Sequence, residues 1–121
     1  MSQLSDEEIY QEVGKIVRQF ELYKCDECAT AVMHWLKENS INGTIVKIQT
    51  AYGEDYIISI RLENQGITGS ITLNGIHYGV KVKDRIFDNI STEGLTKEDW
   101  LNDFQCPGGE FLIDYLDELY N

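Results

Sequence analysis

Positive charge is scarce in this chain. Ten Lys and Arg stand against twenty-one Asp and Glu, a formal net charge of −11 at pH 7, and the cations nowhere cluster. Phosphate backbones and anionic lipid headgroups are held by clustered cations, so neither a nucleic acid nor a membrane surface is an expected partner. Long apolar runs are missing too; none approaches the roughly 20 residues that a membrane-spanning helix requires. The N-terminus, Met1 to Glu8, is polar and acidic, unlike a signal peptide, so residence in the cytoplasm is expected. Cysteine is sparse and odd in number. Three residues cannot all pair within one chain, so at least one thiol is free or otherwise engaged. Repeats, linkers and low-complexity stretches are absent. The length of 121 residues suits one domain, 1–121, long enough for a core and short for two.

What is present is patterned. Ser5–Asp6–Glu7–Glu8 forms a capping box, and Ile9, Val13, Ile16, Val17 and Phe20 follow at helical spacing. A first helix is expected from about Asp6 to Gln19. A second starts near Cys25, with Cys25, Ala29, Val32 and Leu36 on one face and Asp26 and Glu27 in the first turn. Asn39 to Gly43 ends it. The period then changes to two. Strands are expected at Thr44–Thr50, Tyr56–Leu62 and Ile67–Leu73, followed by a hairpin that ends near Asn89. Thr96 caps a short helix carrying Trp100, Leu101 and Phe104, which Cys106–Pro107–Gly108–Gly109 breaks. A last amphipathic helix is expected to carry Phe111, Leu112, Tyr115, Leu116 and Leu119. The order is helices, a meander of strands, then helices: an α+β fold with an antiparallel sheet.

The hairpin carries the first chemical signal. A two-residue turn at Lys83–Asp84 pairs Val82 with Arg85, Val80 with Phe87, and Gly79 with Asp88. His77, Gly79 and Lys81 then share a face with Ile86 and Asp88, and His77 lies diagonal to Asp88. A carboxylate beside an imidazole fixes its tautomer and stabilises its charged form. A slip of one residue would put Asn89 in place of Asp88. The second signal is Cys25, at the start of a helix, where the dipole favours a thiolate. A His beside it can take the thiol proton, with an acid orienting that His.

The order Cys25 on a helix, His77 on a strand and Asp88 on the adjoining strand resembles the papain-like cysteine enzymes. The resemblance is most specific to the papain-fold toxin domain of bacterial polymorphic toxin systems, the second papain-fold toxin group. It is carried by Phe20 to Ala29, Asn74–Gly75–Ile76–His77, Phe87–Asp88–Asn89–Ile90 and Trp100–Leu101 before Phe104, and spans about Ile16 to Phe104. It implies a papain-like fold, with N-terminal helices on an antiparallel meander and C-terminal helices. It also implies cysteine peptidase, deamidase or acyl-transfer activity through a Cys-His-Asp triad. Further implications are a protein substrate, an immunity protein as partner, and delivery to a target cell. In papain-like enzymes a Gln six residues before the nucleophile supplies an oxyanion-hole donor, and Gln19 stands at that spacing from Cys25. Papain's own Cys-x-x-Cys-Trp segment reacts through its second cysteine, which makes Cys28 the alternative nucleophile.

Two other readings compete. Cys25-x-x-Cys28 with Cys106 and either His77 or His34 has the ligands of a Cys₃His zinc site, but the second paired knuckle is missing; no metal or other cofactor is expected. A non-catalytic interaction module that kept the fold would need no reactive thiol at all.

Overall fold

The computed structural model describes residues 4–119; Met1, Ser2 and Gln3 of the polar N-terminus lie outside them. Helix α1 (Asp6–Val17) starts at the capping box: Ser5 Oγ accepts from the Glu8 amide at 3.2 Å, and Glu8 Oε1 accepts from the Ser5 amide at 3.0 Å. It stops two residues before the expected end. Helix α2 (Cys25–Glu38) follows, and its N-cap, Lys24, makes no side-chain capping bond. Among the described residues no helix is long and apolar enough to cross a membrane.

Five strands form one antiparallel sheet: β1 (Thr44–Thr50), β3 (Ile76–Val82), β4 (Arg85–Asp88), β5 (Ser91–Leu95) and β7 (Phe111–Leu116), in the order β5-β4-β3-β1-β7. A two-stranded ladder joins β2 (Ile58–Ser59) to β6 (Phe104–Gln105), beside the short helices α3 (Ile60–Asn64) and α4 (Lys97–Asn102). Strand alternation gives the sheet two apolar faces. Ile45, Val80, Val82 and Phe87 pack against Ile9, Val13 and Val17 of α1 and Ala29, Val32 and Leu36 of α2. Val46, Ile48 and Ile86 pack on the other side with Ile57, Ile71, Trp100 and Phe104. Each aliphatic side chain removed from water in this way contributes roughly 1.5–3 kcal/mol. Ile16 and Leu101, expected in the core, are only partly buried at the rims of these two clusters.

Three segments depart from the sequence pattern. Within Tyr56–Leu62 only Ile58 and Ser59 are strand. Ser59 Oγ then caps α3 by accepting from the Leu62 amide at 3.4 Å. Ile67–Leu73 forms no strand; Ile71 turns inward while Leu73 is 72% exposed. The expected last helix is strand β7, running antiparallel to β1 from Thr50↔Phe111 to Ile45↔Leu116. Phe111/Tyr115 and Leu112/Leu116 are four apart, a spacing that puts each pair on one face of a helix and also on one face of a strand. The open edge of β1 resolves that ambiguity, because its unpaired amides and carbonyls need partners.

The hairpin register is the one that the two-residue turn predicts: Val80 pairs with Phe87, Lys81 with Ile86 and Val82 with Arg85. Gly79 makes room inside it. A Cβ there would sit 2.7 Å from Trp100 Cζ2 and 2.8 Å from Ile86 Cγ2. Gly79→Ala should therefore destabilise the protein by about 1–3 kcal/mol through overpacking, read as a lower urea midpoint at unchanged m-value.

Candidate active site

Cys25 is the first residue of α2 and is 7% exposed. The connector that delivers it contains Tyr23 at φ +72° and is tied to the sheet by Asn89, whose Nδ2 donates to the Glu21 carbonyl at 2.8 Å. Asn89 thus holds the entry to α2, while its neighbour Asp88 points to the other side. His77, the second residue of β3, is fully buried at 0% exposure. Its Nε2 donates to Asp88 Oδ2 at 2.8 Å. The same oxygen accepts from Trp100 Nε1 at 2.8 Å, and Oδ1 accepts from the Ile90 amide at 2.9 Å. The Trp100 and Phe104 rings enclose the imidazole, with centroids 6.0 and 5.2 Å from it.

Electrostatics follow from this enclosure. Burial alone would lower the His77 pKa, but the hydrogen bond and charge of Asp88, together with the Cys25 thiol, raise it from 6.5 to about 9. Burial alone would raise that of Asp88; the bonds from His77, Ser91 and Trp100 and the His77 charge hold it below its ordinary value. His77 Nδ1, the ring nitrogen not used by Asp88, is buried and makes no hydrogen bond of good geometry. Cys25 is among the groups that act on this imidazole and raise its pKa.

The structure treats the two candidate cysteines differently. Cys28 is 1% exposed and packs among the apolar residues between the helices and the sheet. Burial, followed by the charges of Asp88 and Cys25, pushes its thiol up to about 12. Gln19 is not joined to the cluster. It is exposed, and its Nε2 donates to the Lys15 carbonyl of its own helix at 3.2 Å. Because α1 ends at Val17, Gln19 sits in the turn that follows instead of on a helical face. The remaining candidate ligands are scattered: His34 is exposed beside Glu38, and Cys106 Sγ donates to the Glu110 carbonyl. Among the described residues no group of three or more His, Cys, Asp and Glu side chains is arranged so that it could hold a metal ion. The sequence pattern, which sets Trp100 on a short helix with Leu101 and Phe104, does not by itself foretell the indole bond to Asp88. The available signal was chemical, since a fully buried Trp needs a partner for its N–H.

With this geometry in view, comparison with known proteins adds one finding. The chain matches the family model described as Papain fold toxin 2 over residues 8–105. No curated protein and no solved structure matches it.

The raised His77 pKa links stability to pH. The group gains a proton more readily folded than unfolded, so its stabilising contribution is complete below pH 6.5 and is lost as pH rises through about 9. Urea midpoints of the wild type should fall across that interval, and His77→Gln should flatten the decline. Asp88 has the opposite sign: its contribution is present above 3.8 and is lost as pH falls below that value.

Proposed function

The chain belongs to the papain fold toxin 2 family, and on that premise we propose that it is a cysteine enzyme acting on amide groups of protein substrates. The observation that carries this reading is the His77–Asp88 bond at 2.8 Å in an imidazole whose pKa is also raised by Cys25. Cys25 is the nucleophile, His77 the acid–base and Asp88 the residue that orients His77.

In the reactive form the Cys25 proton is held on His77, whose raised pKa favours the imidazolium at neutral pH. The sulfur attacks the amide carbonyl carbon, and the C–O electrons move onto oxygen. The amides of the first turn of α2, which receive no side-chain cap, are suited to stabilise that oxyanion. His77 gives the Nδ1 proton to the leaving nitrogen as the C–N bond breaks, leaving a thioester on Cys25. Water then attacks the thioester carbonyl; His77 takes its proton and the thiolate departs. The same steps serve a peptide bond or a side-chain amide; with an amine in place of water they give acyl transfer. A toxin of this chemistry would be held in check by a dedicated immunity protein, the partner expected for this reading.

Thiol alkylation near neutral pH tests the assignment. Cys25→Ala should abolish fast labelling and any amide hydrolysis while leaving the fold intact. Cys28→Ala should keep both, at a stability cost of about 1–2 kcal/mol for the small cavity. His77→Ala should slow labelling by about a hundredfold or more. If Cys28 proves to be the fast-reacting thiol, the nucleophile is misassigned. If neither cysteine labels faster than a free thiol, the chain is an interaction module with a papain-like fold.

A further inference from the structure

Asp88 has one more neighbour, which leads outward to a charge that the proposed mechanism does not use. Across the β4–β5 ladder Asp88 pairs with Ser91, which is buried. The Ser91 hydroxyl accepts a hydrogen bond from Arg61 Nη2 at 2.8 Å. With a lone pair so engaged, its own hydrogen is free to donate, and the Ser91 hydroxyl is among the groups that hold the Asp88 carboxyl ionised.

Arg61 is itself held in place. Its Nε lies 3.2 Å from Asp103 Oδ2, and its backbone amide donates to Asp103 Oδ1 at 2.9 Å. Asp103 is buried and also accepts from Ser59 Oγ. The guanidinium is therefore fixed between a carboxylate that anchors it and a hydroxyl that it orients. The planar fork of Arg can serve both partners at once, whereas a Lys ammonium could not match that geometry.

We propose that Arg61, acting through the Ser91 hydroxyl, is a positioning residue that holds Asp88 aimed at His77. This rests on the cysteine-enzyme reading above. The ionisable groups around Asp88 are His77 on β3, Cys25 and Cys28 on α2, and Arg61 and Asp103 through Ser91. Helix α1 meets β4 on the opposite face, where Tyr10 packs on Phe87. Arg61 thus places a second, partly buried positive charge beside the two buried carboxylates.

The test is the pH profile of Cys25 alkylation by iodoacetamide in the intact chain. Protonation of Asp88 removes the partner of the imidazolium, so it contributes to the acid limb. Ser91→Ala and Arg61→Ala should each move that limb up by about half a pH unit or more, equivalent to roughly threefold slower labelling on the limb. The alkaline plateau should stay unchanged. The double variant should behave like the single ones, because the two residues act in series, and Arg61→Lys should fall between Arg61→Ala and wild type. Profiles that superimpose on wild type, or that drop evenly at every pH as loosened packing would cause, overturn the proposal. If Arg61→Ala does not fold, Ser91→Ala, which removes only a hydroxyl, decides alone. Labelling that is insensitive to His77→Ala would instead show that the underlying reading has failed, and this inference with it.

Discussion

A carboxylate withdrawn from water must fill its oxygens with donors, or it will take up a proton. Asp88, 1% exposed, meets that demand with groups from across the chain. The imidazole comes from β3, the indole from α4, a backbone amide from the β4–β5 link and a hydroxyl from β5. Each of these elements is held in the fold by its own packing, so together they fix one orientation of the acid. The acid in turn fixes the tautomer and tilt of His77. The placement of Trp100 over that ring is then tied to the charge of Asp88 as much as to apolar burial.

Cys25 reaches this centre by a different route. It opens a helix that packs on the far face of the sheet, and Cys28, one turn further on, belongs to that packing. The two faces of the sheet meet at the entry to α2, where Asn89 grips the connector. Adjacent residues of one strand end therefore serve opposite sides: Asp88 holds the imidazole and Asn89 holds the chain that presents the thiol. Asp88 is the last residue of β4 and Asn89 the first of the turn that follows, so the two diverge where the strand ends.

How much of this was legible in the sequence depended on range. The hairpin register was readable because one turn and one alternating pattern determine it, and His77 and Asp88 came with it. The capping box fixed the start of α1, but nothing local said that the helix would end at Val17 and leave the Gln19 side chain donating to the Lys15 carbonyl. Arg61 was hidden because Tyr56 to Leu62 looked like strand, while Ser59 and the distant Asp103 together turn the chain into a helix there. Strand β7 was hidden because its apolar spacing suits either period, and its choice was made by an edge remote in sequence, paired from Thr50↔Phe111 to Ile45↔Leu116. Arg61 and strand β7 share one cause: the deciding partner was remote.

The β1–β7 ladder also governs the time course of folding. Strand β1 borders β3 on one side, a pairing of intermediate sequence separation, but its other edge has to wait for Phe111–Leu116. During synthesis that edge stays open until almost the whole sheet has been made. Its amides and carbonyls are meanwhile available to any other strand, including the same segment of a neighbouring nascent chain. Closing so long a loop late, with little local structure to guide it, makes this ladder the slow and aggregation-exposed step in reaching the native sheet.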